Sequence, residues 1–518
     1  MAIGSAVSRL TGFLRTVVLA AAIGLGLVGD AYNTANTLPN IVYELLLGGV
    51  LTSVIVPLLV HARSRDPDGG DAYTQRLLTL LTVVLVVATA IAILAAPALT
   101  YAYGIREDPD QVALANILAR ILLVEIVFYG VGAMLGAVLN SRGVFGPPAW
   151  APVLNNVTVI ATGLVFIAAR GTGELTPATI STGEVWLLGV GTTLGIVVQA
   201  AALLPALRRV GLRWRWRFDW RHAGLAEAGR LGLWVLGYVA LSQVGYLVII
   251  ATANAAGRAS GVGSIVYAHA SLLFQMPYGI LGVALLTALL PRMSRAAAAG
   301  DTPEVVRDLS LGARLTAVAL VPITGALIVL GPAIGTVAFA RGQVDVEQAR
   351  AVGVVLAVSA FGLLPFALTM LQLRVFYAMK DARTPTLINL AMVAVRVPLS
   401  LAVPALLPAE QVVAGLAVVN SATFVFGAIV GELWLRHRLG QLDTARVLGT
   451  IARLTLASAA GALAAWAAIQ PVRAGLGQDV GGSAVAVIVG TLAGAVVVSA
   501  GCWVLRIREI REITGGRR

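Results

Sequence analysis

The chain has 518 residues, of which 58% are hydrophobic and only 12% are charged, and its formal net charge is +12. Soluble globular domains contain about 25% charged residues, so this composition excludes a soluble protein, and the single cysteine excludes an intramolecular disulfide. Apolar runs of about 20 residues recur along the whole chain, which predicts an all-α polytopic membrane protein.

We predict about 14 transmembrane spans, numbered 1 to 14 in chain order, at approximately 5–27, 32–62, 74–101, 111–139, 147–169, 184–206, 229–254, 264–290, 309–338, 350–377, 385–408, 411–435, 446–469 and 481–505. The first is interpreted as retained rather than as a signal peptide, because Arg15 interrupts its apolar run and many spans follow. With a cytoplasmic N-terminus, the cytoplasmic loops and tail hold 24 Lys and Arg residues and the opposite loops hold six. This asymmetry predicts that both termini lie in the cytoplasm.

Two pairs of motifs recur six spans apart. VLNSRGVFGPP at 138–148 corresponds to FYAMKDARTPT at 376–386, and GGVLTSVIVPLL at 48–59 corresponds to GVALLTALLPRM at 282–293. Six is an even number, so corresponding spans run in the same direction, as in transporters built from two halves around a substrate site. We therefore expect two six-helix lobes plus two C-terminal helices. The predicted parts are an N-terminal lobe at 1–209, a cytoplasmic interfacial linker at 210–228, a C-terminal lobe at 229–438, and spans 13 and 14 with a basic tail at 439–518.

The linker begins with VGLRWRWRFDWRH at 210–222, where Arg alternates with Trp. This pattern is typical of a juxtamembrane segment, with indole rings at the headgroups and guanidinium groups on anionic lipid. We prefer that interpretation to a nucleic-acid patch.

Span 1 carries Arg9 and Arg15, although a guanidinium near the bilayer centre costs about 2.5–3.5 kcal/mol on insertion scales. The two lie about 9 Å apart along a helix and about 120° apart around it. Asp30 follows span 1, and span 2 opens with Asn40 and Glu44 among other polar residues. Together they predict a wet, cationic chamber suited to phosphate, which guanidinium groups bind bidentately. The predicted substrate-binding residues are Arg9, Arg15, Asp30, Asn40 and Glu44.

Weaker candidates for the same site are Ser8, Arg120, His269, Gln275 and Arg396. An interhelical ion pair is the open alternative for Arg120 and Arg396, and a packed, hydrogen-bonded ring is the alternative for His269. Arg314, Arg374 and Arg453 lie near predicted cytoplasmic ends, where we expect them to snorkel to the interface.

At these residues the chain resembles the MurJ (MviN) lipid II flippases of the multidrug/oligosaccharidyl-lipid/polysaccharide (MOP) exporter superfamily. The motifs that carry the resemblance are SRLTGFLR at 8–15, GDAYNTANTLPN at 29–40, GGVLTSVIVPLL at 48–59 and FQMPYGILGVALLTALLPRMSR at 274–295. The resemblance implies a bacterial plasma-membrane flippase. Its substrate would be undecaprenyl-pyrophosphate-linked peptidoglycan precursor, moved from the cytoplasmic to the outer leaflet. Family members have a central cavity lined by arginines and a groove beside spans 13 and 14 for the lipid tail.

The implied partners are the lipid-linked precursor, membrane lipids and proteins of cell-wall synthesis or division, but no nucleic acid, and we expect a monomer. No cofactor or metal is expected, and coupling to the membrane potential or to an ion is left open. The chain departs from some members at two places, with Tyr43-Glu44 in place of Arg-Arg in span 2 and Leu272-Leu273 in place of an arginine in span 8.

Three alternatives remain open. The first is another MOP-superfamily transporter, either a polysaccharide-lipid flippase or a multidrug antiporter. The second is a scaffold for cell-wall proteins that does not transport. The third is a membrane enzyme acting on polyprenyl substrates through the acidic cluster RSRDPDGGD at 63–71, which we interpret as a solvated turn. We expect a transporter and not an enzyme.

Overall fold

The computed structural model describes residues 2–48, 59, 62–63, 68–171, 173–212, 214–219, 229–507 and 509. Regular secondary structure in these ranges consists of helices, so the predicted all-α class is confirmed. Most of the GGVLTSVIVPLL motif, part of the acidic loop at 63–71 and the second half of the predicted linker lie outside the described residues. The chain divides into two compact units, Met1–Ser264 and Ile265–Arg518.

The helices of the first unit are α1 (Ala2–Ile23), α2 (Leu27–Tyr43), α3 (Asp71–Leu94), α4 (Ala96–Ala102), α5 (Pro109–Leu122), α6 (Glu125–Ser141), α7 (Gly146–Arg170), α8 (Thr182–Ala201), α9 (Leu204–Arg209) and α10 (Gly229–Ser260). Helix α7 packs between α1 and α8, while α2 contacts α5, α6 and α10. The two helices that carry most of the predicted site, α1 and α2, are therefore each held by neighbours of the same unit.

The second unit contains α11 (Ser264–Pro277, whose first residue ends the first unit), α12 (Val283–Ala299), α13 (Thr302–Phe339), α14 (Val346–Ser359), α15 (Leu363–Ala378), α16 (Arg383–Leu406), α17 (Ala409–Leu439), α18 (Thr444–Leu476) and α19 (Val480–Val504). Helix α13 packs against α12, α14, α15, α18 and α19. Its crossing with α14 is close, because a Cβ on Gly353 would lie 2.2 Å from the carbonyl oxygen of Gly331.

In the described part of the chain, twelve helices are long and apolar enough to cross a membrane. Two further predicted spans, 32–62 and 264–290, are not among the twelve: most of residues 49–62 lie outside the described ranges, and 264–290 is divided between α11 and α12. The first contains Pro39 and then a π-helical turn at Glu44–Gly48, and the second contains Pro277 directly before a π-helical turn at Tyr278–Gly282. Proline removes a backbone donor and crowds the preceding turn, and single π turns inside helices are common at functional sites. A proline followed by a π-helical turn therefore occurs in both span 2 and span 8, which the sequence repeat pairs. The division into two six-span lobes stays a prediction.

Local capping sets where α8 begins. The Ser181 hydroxyl accepts from the Glu184 amide at 3.3 Å, and the Glu184 carboxylate accepts from the Ser181 amide at 2.7 Å, which completes a capping box. Glu184 also pairs with Arg170, the last residue of α7, at 3.1 Å. Such a cap contributes about 1 kcal/mol, and here it also fixes the register of α8 against α7.

Candidate functional site

The two predicted arginines of α1 make no direct contact with an acidic side chain in the part of the chain that the structure describes. Arg9 is exposed and Arg15 is half-buried, and within the described ranges neither guanidinium makes a hydrogen bond or an ion pair. The charge of Arg15 interacts electrostatically with Tyr32, Tyr129 and Glu125. A guanidinium in a membrane helix without an anionic contact is costly, so both side chains are available to an anion from outside the described residues.

Two hydrogen bonds from one side chain hold α1 against α7. The amide of Asn156 donates to the Ser8 carbonyl and to the Thr11 hydroxyl, each at 3.0 Å. The predicted residue Ser8 is half-buried and contributes its backbone carbonyl to one of these bonds. Asn156 thus holds the turn of α1 that carries Arg9 and leads to Arg15.

Asp30 lies in the interior of the first unit, with 1% of its surface exposed. Its Oδ1 accepts from the Ser264 hydroxyl at 3.3 Å. Gly263 leaves space for the carboxylate, since a Cβ there would lie 1.8 Å from Oδ2. Asp30 therefore joins the start of α2 to the residues that follow α10.

The other two principal candidates lie at the break in span 2. Asn40 is exposed, whereas Glu44 is half-buried and accepts a hydrogen bond at 2.8 Å from Gln243 of α10. Tyr43 stacks on Tyr129 with 5.9 Å between ring centroids, so the residues that replace the family's Arg-Arg pair hold α2 against α6 and α10.

Further polar contacts on α2 were not predicted from the sequence. Asn254 of α10 donates to the Thr34 hydroxyl at 2.9 Å, and the hydroxyls of Tyr32 and Thr192 lie 2.9 Å apart. The sequence did contain a sign of these contacts, because the amide residues Gln243 and Asn254 lie within one apolar run. Polarity alone does not say which helix such residues face.

Arg120 does not join this group. It is exposed and lines a groove of about 520 Å³ between α5 and α8, beside Trp186 and Ile117. No ion pair of Arg120 occurs within the described ranges. Glu125, five residues further on, points inward and is fully buried.

The weaker candidates of the second unit occupy different surroundings. His269 is buried, its Nδ1 lies 2.8 Å from the Ile265 carbonyl oxygen, and its ring packs edge-on against Phe339 at 4.9 Å. Gln275 is exposed. The guanidinium of Arg396 lies 5.7 Å from the Phe424 ring centroid, a cation–π contact.

One prediction for the second unit is wrong. Arg314 does not snorkel to an interface. It is buried, with a side-chain exposure of 7%, and pairs at 2.7 Å with Glu509 beyond the end of α19. The partner lies 195 residues away in the chain, which is why the sequence did not reveal it.

A family model described as "Lipid II flippase MurJ" matches residues 19–476. The chain belongs to the MurJ lipid II flippase family. The matched range includes Asp30, Asn40 and Glu44, whereas Arg9 and Arg15 precede it. The predicted family is thereby confirmed, and the chain is a multi-pass membrane protein.

Curated relatives agree with this assignment, and solved structures share the fold. The chain is 30% identical over 471 residues to the probable lipid II flippase MurJ of Rhizobium meliloti, which covers 89% of this chain and 84% of the relative. It is also 30% identical over 396 residues to the lipid II flippase MurJ of Burkholderia cenocepacia, and the match covers 75% of this chain and 74% of the relative. A structure of lipid II flippase MurJ in an inward closed conformation shares the fold, with a TM-score of 0.76 at 18% identity over 98% of this chain and 99% of that one. A MOP-superfamily transporter from Pyrococcus furiosus shares it more distantly, with a TM-score of 0.61 at 16% identity over 84% and 94%.

Proposed function

We propose that this chain is a lipid II flippase of a bacterial plasma membrane. It moves undecaprenyl-diphosphate-linked peptidoglycan precursor from the inner to the outer leaflet by alternating access. Membership of the MurJ family carries the proposal, and it fits the two arginines of α1, which no described acidic side chain contacts directly. Both termini are placed in the cytoplasm, on the strength of the 24-to-6 distribution of basic residues.

In this proposal Arg9 and Arg15 bind the diphosphate while the polyprenyl tail stays in lipid. Support comes from their charge, which no described residue neutralises by direct contact, and from the planar guanidinium, which matches phosphate oxygens bidentately. Asn156 positions α1, and Asp30 positions the start of α2. Asn40 is exposed at the same break as Glu44 and is assigned to the sugar part of the substrate.

The test is replacement of the chromosomal copy in a depletion strain. During depletion, labelled lipid II should become inaccessible to a probe in the outer medium, and the wild-type chain should restore access. Arg15→Ala should fail to restore it, and Arg15→Lys should restore only part, because an ammonium keeps the charge without the bidentate geometry.

Arg438→Ala is the matched control, since it removes an exposed arginine at the end of α17 and should restore full access. Membrane levels of each variant are measured by immunoblot. Full restoration by Arg15→Ala would contradict the site assignment, and failure of the wild-type chain itself would contradict the function.

A further inference from the structure

Glu125 is a fully buried carboxyl group without a strong hydrogen bond from the described residues. It is the first residue of α6, directly after the turn at Leu123 and Val124 that separates α5 from α6. Its exposure is 0%. Neither carboxylate oxygen accepts a hydrogen bond of normal geometry from the described residues, although the Thr193 hydroxyl of α8 faces it.

The charged and titratable groups around Glu125 come from three helices. Arg15 of α1 supplies a positive charge, and the phenol of Tyr129 lies on α6 itself. Tyr32 of α2 also interacts with it electrostatically. From α5, Arg120 is directed to the outer groove rather than to this carboxylate. Arg15 is therefore the cation that stabilises the ionised form of Glu125.

A buried carboxylate is costly in its charged form unless it is paired. The diphosphate that Arg15 is proposed to bind competes for the same guanidinium. When that negative charge arrives, the ionised form of Glu125 loses its compensation and faces a second anion. Substrate binding and protonation of Glu125 are linked equilibria. Substrate binding therefore favours the protonated carboxyl group, and protonation favours substrate binding by the same free energy.

We propose that Glu125 is a proton-binding site coupled to occupation of Arg15 by the diphosphate. When the lipid diphosphate binds, an O–H bond of a hydronium ion in the solvent breaks, its proton forms an O–H bond with a Glu125 carboxylate oxygen, and a water molecule remains; the proton returns to the solvent when the lipid leaves. The inference rests on the proposed function, because it takes the diphosphate as the ligand of Arg15. It assigns the proton as a second ligand of this transporter.

The test uses the purified full-length chain in detergent with lipid II as the probe. Binding is measured by isothermal titration calorimetry in two buffers of different ionisation enthalpy, which gives the protons taken up per molecule bound. At a pH above the pKa of Glu125 in the free chain and below its pKa in the complex, the wild-type chain should take up close to one proton. Across the pH range of uptake its Kd should rise up to about tenfold per pH unit.

Glu125→Gln should bind lipid II with no linked proton uptake beyond that of the lipid itself. Glu410→Gln removes an exposed carboxylate in the first turn of α17 and should keep the wild-type uptake. Equal uptake by Glu125→Gln and the wild-type chain would overturn the proposal, as would saturable wild-type binding without uptake. Absence of saturable binding by the wild-type chain would instead overturn the proposed function, and this inference with it.

A second measurement does not depend on folding of the variant. Infrared difference spectra of the wild-type chain, with and without lipid II, should show the carbonyl stretch of a newly protonated carboxylic acid. Its absence on saturation overturns the assignment even if Glu125→Gln does not fold.

Discussion

Substitution of Gly263 by alanine tests the packing around Asp30. The new Cβ would lie 1.8 Å from Asp30 Oδ2, whereas ordinary contact begins at 3.4 Å, so one of the two groups must move by about 1.6 Å. Gly263 does not have a positive φ, so an alanine backbone is not itself strained there. The cost therefore comes from the collision with the carboxylate.

Two contributions set the loss of stability caused by Gly263→Ala. Overpacking in a close-packed interior costs about 1–3 kcal/mol. Displacement of the carboxylate also weakens its hydrogen bond with the Ser264 hydroxyl, and hydrogen bonds to charged groups contribute about 1.5–3 kcal/mol. Partial relaxation makes these less than additive, and we expect Gly263→Ala to lower the free energy of unfolding by about 2–4 kcal/mol.

The assay is unfolding in detergent micelles, followed by intrinsic tryptophan fluorescence. Gly183→Ala is the matched control, because a Cβ on Gly183 would meet nothing within 4 Å and the residue lies in the first turn of α8. That control should be neutral or stabilise by up to about 1 kcal/mol, the usual preference for alanine over glycine in helices. In the double variant with Asp30→Ala, the penalty of Gly263→Ala should shrink by more than about 1 kcal/mol, the coupling expected of residues in contact. Equal stability of the two alanine variants, or strict additivity in the double variant, would contradict a collision between the new Cβ and the Asp30 carboxylate.

Two further predictions concern the second unit. Glu509→Gln should lower the free energy of unfolding by about 3–5 kcal/mol, the cost of breaking a buried pair from one side, and chemical denaturation in detergent measures it. Burial raises the pKa of Glu509, but hydrogen bonds from Arg314 and Thr450 outweigh it and hold the pKa below its ordinary 4.5. The ionised carboxylate therefore stabilises the wild-type chain above that ordinary value, and the contribution is lost as the pH falls through the lower folded-state pKa, whereas Glu509→Gln should lack this acid-dependent component. Gly353→Ala should destabilise by about 1–3 kcal/mol, because its Cβ would lie 2.2 Å from the Gly331 carbonyl oxygen, and an unchanged thermal midpoint would contradict the close crossing of α13 and α14.

The fold class follows from the amino-acid sequence alone, because long apolar runs specify helices in a bilayer whatever their neighbours are. The sequence also located Arg9 and Arg15, since a charge inside such a run is conspicuous in one dimension. Pro39 and Pro277 were visible as well, but the π-helical turns beside them were not, because wide turns depend on how the backbone relaxes after the proline.

The tertiary structure alone decided which polar groups neutralise one another. Arg314 and Arg15 are both guanidinium groups within predicted apolar spans, and the sequence shows an acidic partner for neither. Arg314 is paired with Glu509 by a contact across 195 residues, whereas Arg15 is left without a direct partner in the described ranges and faces the buried Glu125 only electrostatically. The physical reason is that the cost of a charge in a membrane depends on what lies within a few ångströms, and apolar periodicity carries no information about contacts between distant helices.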